Sequence, residues 1–522
     1  MTDISRRAFV AGAAACAVAA PSVSIALAEP AAEVLQTEVL VVGVGAAGFQ
    51  AALGAAQLGA QVTAIDLAPN MLATTNTTTS GYLCVGDKLQ LAQPFHFEVP
   101  EIYTLMNQLS NYCYNTQVLK ALLEASSRSS NNLIDNGILV KDIEMPERCE
   151  LTGPTLGQRC GHPYAIAGQE RADAFENALL ANGVQIIYSC EAKELVVQDG
   201  VAVGVRCDLE GKPLDIMAGA IVLCTGGFLG NEEMVAKYFA GSRIVPMGNQ
   251  NCKGAGINMA LSMGAQMGKS FSLSSNEYGG ANFAASPTFS FRPGTGSNEA
   301  LRFILLGGIL VDGMGDRFIS EQIANKEAMH CAEPFIRVKT YYTVVDQDFV
   351  DYVAATPLGQ IMGDGRMKKM FAEYTAQTID QDFEVAIEQG WAAKANTIAE
   401  LAAAFDLPNL EASIELYNQY CEDGYDAQFY NEPEFMHKLQ TPPFYIVQSY
   451  PAGWLSLGGV KCDDKCHSLD SDNKPIDRIF IAGADADLFC APYIAGGSAN
   501  GFAQASGLIA GEQAAMLLGY GA

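Results

Sequence analysis

Thr37-Glu38-Val39-Leu40-Val41-Val42-Gly43-Val44-Gly45-Ala46-Ala47-Gly48 is the stretch on which the fold turns. A run of apolar β-formers leads into G-x-G-x-x-G. An alanine-rich helical stretch then continues to about Leu58, and Gln61-Val62-Thr63-Ala64-Ile65-Asp66 makes the next strand. Each residue type has a task. Gly43 permits the tight turn, Gly45 lets backbone approach a pyrophosphate, and Gly48 lets the helix pack close to the strand. The helix start at Ala46 and Ala47 presents free N–H groups to the anion. Asp66 closes the second strand, where a carboxylate can accept ribose hydroxyls. Strand, Gly turn, helix, strand and acid in this register predict a dinucleotide-binding α/β fold.

Two later stretches repeat the strand-into-glycine pattern. Ile221-Val222-Leu223-Cys224 runs into Thr225-Gly226-Gly227, and Arg478-Ile479-Phe480-Ile481-Ala482 runs into Gly483-Ala484-Asp485. Gly496-Gly497-Ser498-Ala499 then opens a helical stretch through Gly507 to Leu518. In this combination the chain resembles the flavoprotein family of fumarate reductases, flavocytochromes c, urocanate reductases and 3-ketosteroid dehydrogenases. The resemblance implies non-covalent FAD, held by a Rossmann-like FAD-binding domain with an inserted α+β capping domain. It implies that Thr225, Gly226, Gly227, Gly483 and Ala484 complete the FAD site. Thr74, Thr75, Ser80 and Gly81 stand where the family places small residues over the pyrophosphate and isoalloxazine. Ala192 stands where it makes a backbone contact to adenine, and Ser498 and Ala499 begin the helix whose positive end stabilises reduced flavin. Gly307-Gly308-Ile309-Leu310-Val311-Asp312 and Arg317-Phe318-Ile319-Ser320-Glu321 match the capping-domain signature. The implied division is FAD domain 37–242 and 440–522, capping domain 243–439. Within the cap a helical region is expected over Asp382–Ala404 and a helix around Tyr417-Asn418-Gln419-Tyr420. Pro442-Pro443 marks the return.

Against the fumarate-reducing branch the pattern breaks. The positions where that branch places a proton-donating Arg and a His and Arg clamp hold Asn325, Cys490 and Ile494. None of these can form a bidentate carboxylate pair. Pro492-Tyr493-Ile494-Ala495-Gly496-Gly497 is instead similar to the ketosteroid dehydrogenase segment in which a Tyr hydroxyl and a Gly N–H bind a ketone, with Ile494 and Ala495 as departures. Tyr493 and Gly497 are therefore the expected oxyanion-type donors to a substrate carbonyl, with hydride exchanged at flavin N5. Tyr278, in a Gly-flanked loop, is the candidate second acid or base.

Ser5-Arg6-Arg7-Ala8-Phe9 opens an apolar run ending at Ala26-Leu27-Ala28, an export leader over residues 1–28 that resembles the twin-arginine type. Folded export suits a protein that takes up its cofactor before crossing the membrane. Cys462-x-x-x-Cys466-His467 looks like a haem attachment, yet it sits in the ribbon before the late FAD strand, which favours a surface thiol pair or a strained bridge. Five His without ligand spacing indicate no catalytic metal.

The whole chain has 522 residues and a net charge of −27, with 49% hydrophobic and 17% charged residues. That composition excludes disorder and argues against nucleic acid as a partner. An acidic surface also repels anionic substrates. The expectation is an exported FAD oxidoreductase acting on a C=C or CH–CH bond beside a neutral carbonyl, served by a membrane or cytochrome electron donor. The alternatives are a carboxylate reductase using Lys326 or Arg302 in a relocated role, and a flavin electron carrier.

Overall fold

The computed structural model describes residues 32–79, 81–139, 145, 147–274, 277–280, 288–289, 299–322, 332–361, 372–488 and 492–521. The expected export segment, residues 1–28, lies outside them, as do Ser80, Asn325, Lys326 and Cys490.

Apolar strand β1 (Glu33–Val42) feeds helix α1 (Ala46–Gln57), and β2 (Val62–Ile65) returns parallel to β1, pairing Val39 with Val62 and Val42 with Ile65. Next come β3 (Tyr82–Leu83), α2 (Thr116–Asp135), β4 (Gly161–His162) and α3 (Gly168–Ala181). Strand β5 (Gln185–Ile187) adds to the edge of β2. β6 (Cys190–Gln198), β7 (Val201–Leu209) and β8 (Lys212–Leu223) form an antiparallel meander, and β8 also pairs parallel with β1. A strand buried on both faces must be apolar throughout, and the last four residues of β1, all of β2 and the last four of β8 are buried.

After β9 (Val245–Pro246), α4 (Ala255–Ser262) and β10 (Ser272–Leu273) the chain builds a second sheet. Its strands are β11 (Glu277–Gly280), β12 (Thr288–Phe289), β13 (Ile309–Asp312), β14 (Tyr341–Asp346), β15 (Ala392–Ala395) and β16 (Phe444–Gly453). Helices α5 (Ile379–Glu388), α6 (Ile398–Phe405) and α7 (Leu410–Asp423) accompany it. The order β12-β11-β16-β14-β13 makes β16 central, with β9 and β15 also pairing to it.

β17 (Ser456–Leu457) pairs with β10. β18 (His467–Leu469) and β19 (Pro475–Ile481) rejoin the first sheet, where β19 lies parallel to β8. Helix α8 (Ser498–Leu517) ends the fold, packed on α1. The first sheet runs β18-β19-β8-β1-β2-β5. Among the described residues no helix is long and apolar enough to cross a membrane.

Three expectations need correction. The region Asp382–Ala404 is not one helical run: Gly390, with φ +80°, ends α5, Trp391 is buried, and β15 intervenes before α6. The chain does not return to the first sheet at residue 440, because β16 belongs to the second sheet and the crossing comes with Ser456–Leu457. The chain touches the second sheet at β9, comes back to the first core with α4, and only then builds the rest of the second sheet. Cys462 and Cys466 are neither at the surface nor bridged. Both are buried free thiols, one facing the Asp487 carbonyl and the other the Ser506 carbonyl.

Candidate active site

The dinucleotide turn is shaped by backbone crowding. At Gly43, with φ +96°, a Cβ would stand 2.3 Å from the Cys224 carbonyl oxygen, and at Gly48 it would stand 1.7 Å from that of Gly43. Gly45 faces the Thr75 hydroxyl, 2.7 Å from where its Cβ would be. Ala46 and Ala47 form the first turn of α1, which carries no side-chain cap. Their N–H groups are left for an anion. Asp66 lies just past β2 and accepts from the N–H groups of Val44 (2.6 Å) and Ala68 (2.7 Å), one on each oxygen. Burial raises its pKa and these two donors oppose the rise. A carboxylate has about four lone-pair sites, so acceptor capacity remains for a ribose.

The second and third turns meet at Asp485. Its buried carboxylate accepts from Thr225 N–H (2.5 Å), Thr225 hydroxyl (2.8 Å) and Gly227 N–H (2.7 Å). Burial raises its pKa against those donors. Ala484 stands 3.2 Å from the Cβ position of Gly227, and the Gly483 N–H donates to Ser506 Oγ (3.0 Å). Thr225, Gly226, Gly227, Gly483 and Ala484 are thus one unit. Ala192 lies apart from it, on β6 opposite Cys207.

Beyond the first turn, Thr74 is buried with its hydroxyl on the Met71 carbonyl (2.7 Å), and buried Asn76 donates to the Val44 carbonyl (2.8 Å). The segment thereby runs from the dinucleotide turn to the start of α8. There a Cβ on Gly81 would sit 3.4 Å from Gly497 Cα, and Leu83 N–H donates to the Gly497 carbonyl (3.1 Å). Gly497 caps α8 in the left-handed region with φ +86°. The hydroxyl of Ser498 is spent on the Ala495 carbonyl (2.7 Å), and Ala499 is half-buried beside it.

Tyr493 is buried at this helix end. Its hydroxyl reaches Ser498, the N–H groups of Gly497 and Ala499, and Ser274, while burial raises its pKa. The structure therefore brings Tyr493 and Gly497 together. Tyr278 lies on β11, four residues past Ser274 and in register with Pro451; its side chain lies outside the described residues. Ile494 is buried beside Tyr493.

Three groups emerge only in the fold. Arg317 of the R-F-x-x-E stretch is buried, pairing Glu321 (2.7 Å) and Asp426 (2.8 Å) beneath Tyr417 and Phe429, so it braces the cap. Burial opposes its charge, but the two carboxylates raise its pKa overall. Tyr114 donates to the Pro492 carbonyl (2.5 Å) and steadies the loop before Tyr493. Cys84, Asp87 and His162 are buried with potential ligand atoms within 4.8 Å of one another. The Asp87 oxygens already face Ser130 (2.6 Å), His162 (2.7 Å), Cys84 (3.1 Å) and the N–H groups of Leu89 (3.0 Å) and Gln90 (2.9 Å). Burial opposes the Asp87 charge, yet His162 and the donors hold its carboxyl well below the usual range. These contacts gather on the Asp87 oxygens and link the turn after β3 to β4.

A glycine cradle with free helix N–H groups, an acid at the ribose position, an interlocked second turn and a second helix start packed on Gly81 and Leu83 fit a flavoprotein oxidoreductase. Residues 38–507 match the family model described as FAD binding domain, and the chain belongs to that family. It is similar to the vinyl phenol reductase of Lactiplantibacillus plantarum, at 27% identity over 86% of this chain and 90% of that one. It is also similar to a probable fumarate reductase of Shewanella frigidimarina, at 25% identity over 92% of this chain and 75% of that one. The fold matches the 3-ketosteroid delta1-dehydrogenase of Sterolibacterium denitrificans, with a TM-score of 0.68 at 18% identity, covering 92% of this chain and 99% of that one. The protein is an FAD-dependent oxidoreductase that acts on C=C or CH–CH bonds.

Proposed function

We propose that the substrate is a neutral molecule with a C=C bond conjugated to a carbonyl, of enone or ketosteroid type, and that the physiological direction is reduction. The observation that carries this reading is the Tyr493 hydroxyl gathered with the Gly497 N–H at the buried start of α8. On this reading the pyrophosphate lies on Gly43–Gly48, and the isoalloxazine lies between Gly81 and α8. Bound FAD supplies the hydride exchange with the substrate. Tyr493, kept protonated by burial, donates to the substrate carbonyl oxygen, and the Gly497 N–H, shared with the Tyr493 hydroxyl, donates beside it. Charge that develops on that oxygen then meets two fixed donors away from water. Tyr278 handles the proton at the adjacent carbon.

A second reading follows from the vinyl phenol reductase relative. In a vinyl phenol the alkene is conjugated through the ring to a phenol oxygen, and the same two donors suit that oxygen. A dicarboxylate lacks its cationic clamp here, since Ile494 stands at one of the clamp positions.

The leader and the excess of acid fit an enzyme exported folded with its FAD and reduced there by a cytochrome or membrane quinol. The test of substrate class is anaerobic reoxidation of dithionite-reduced enzyme by a panel of enones, vinyl phenols, fumarate and urocanate. Reoxidation by the neutral members supports the reading. Turnover confined to the carboxylates supports a relocated Lys326 or Arg302 instead, and reoxidation by redox proteins alone supports an electron carrier.

A further inference from the structure

Arg171 is a buried guanidinium with no carboxylate partner among the described residues. It stands in the first turn of α3 and is only 3% exposed. Nη1 donates to the Thr79 carbonyl (2.8 Å), Nη2 donates to the Thr79 hydroxyl (2.7 Å), and the guanidinium carbon lies 3.2 Å from the centre of the Tyr164 ring. Nε is buried with no partner among the described residues. Desolvation lowers its pKa. A buried cation with no counter-charge is costly, and an anionic ligand can supply one.

The contacts lead towards α8. The Tyr164 hydroxyl accepts from Asn500 Nδ2 (2.8 Å), in the first turn of α8, and the same amide donates to the Gly81 carbonyl (2.9 Å). Asn500 Oδ1 is buried and unpartnered. Two buried polar atoms along this network, the donor Arg171 Nε and the acceptor Asn500 Oδ1, therefore lack partners among the described residues. An isoalloxazine ring offers both complements, carbonyl oxygens and an imide N–H. FAD is also the resident anion of the fold. On reduction it takes up two electrons and one proton, FAD + 2e⁻ + H⁺ → FADH⁻, so the ring gains one negative charge.

We propose that Arg171, positioned through Tyr164 and Asn500, is the counter-charge that favours the reduced, anionic cofactor over the oxidised one and so sets the potential at which this oxidoreductase works. The network runs to Gly81 and α8, whereas Thr74, Thr75 and Asn76 serve the pyrophosphate turn. This role is independent of the substrate; it rests only on the placement of the isoalloxazine between Gly81 and α8.

The experiment is the midpoint potential of FAD-loaded Arg171→Gln, with the affinity for oxidised FAD measured on the same protein. The expected result is a roughly tenfold loss of preference for reduced FAD, which lowers a two-electron midpoint by about 30 mV, while affinity for the oxidised form holds. Arg171→Lys falls between the two. Tyr164→Phe keeps the ring under the guanidinium, deletes only the hydroxyl, and shifts the potential less, in the same direction. An unchanged potential overturns the proposal. So does an equal loss of affinity for both redox states, which would make Arg171 a phosphate counter-charge. If Arg171→Gln does not fold, Arg171→Lys and Tyr164→Phe decide by the same criterion. A wrong flavin placement shows separately, because Gly81→Val would then keep its full FAD content.

Discussion

Gly81 is a glycine that the protein's own packing does not require. Among the described residues a Cβ there meets Gly497 alone, at 3.4 Å and beyond, which is ordinary contact, and its φ is not positive. Gly43 and Gly48 differ, since a Cβ at either would strike backbone. Gly81→Val should therefore purify folded, with a thermal midpoint close to that of the wild-type apoprotein, and fail to retain FAD. Full FAD absorbance would contradict the placement. A second prediction concerns pH. Burial raises the Asp487 carboxyl to about 6, with Lys461 opposing, against about 3.9 for an unfolded Asp. Between those values the native state binds more protons than the unfolded chain, so stability falls as pH rises through that window and is level above it. Asp487→Asn should raise the melting temperature at pH 8 and leave it unchanged below pH ~4. Equal shifts at both pH values would contradict this. Spacing alone reached only the site residues of one short stretch, from Gly43 to Asp66; Thr225, Gly226, Gly227, Gly483, Ala484, Tyr493 and Gly497 came from the family resemblance. Asp485 with Thr225, Asp87 with His162, and Arg171 with Asn500 were reached by neither, because each partnership joins residues far apart in the chain and has no local spacing.

The helix pair α1 and α8 holds the two ends of the cradle at one spacing. At Gly507 and Gly511 a Cβ would lie 2.0 Å from the carbonyl oxygens of Ala47 and Ala51, so backbone rests on backbone. Gly511→Ala must push the helices apart. The expected cost is about 1–3 kcal/mol, read as a lower melting temperature and weaker FAD retention. An unchanged melting temperature would show that the contact does not set the spacing. Both helices were readable because their small-residue runs are bounded by glycine turns. The Asp382–Ala404 region was misread because its alanine and glutamate content favours helix, while pairing of Ala392–Ala395 with β16 overrides propensity. Strand β16 was assigned to the wrong sheet for a related reason. Pro442-Pro443 punctuates the chain, but only the partners β14, β11 and β15 decide which sheet Phe444–Gly453 joins.

At the scale of the molecule, the net charge of −27 bears on substrate choice, because a surface this acidic discourages anionic substrates. The proposed folded export would keep FAD in place. If residues 1–28 direct twin-arginine export, a chain with both Arg6 and Arg7 replaced by Lys should accumulate in the cytoplasm with FAD bound; unchanged export would contradict that route. The central claim is that a buried phenol and a glycine N–H at the head of α8 polarise a neutral, carbonyl-conjugated alkene. Its most direct test is anaerobic single-turnover reoxidation of the reduced enzyme by a neutral enone, comparing wild type with Tyr493→Phe. The account predicts that the wild type is reoxidised and that Tyr493→Phe is slower by about 10²-fold or more, as for loss of one oxyanion donor. Equal rates in the two proteins, or no reoxidation by any enone, would contradict it.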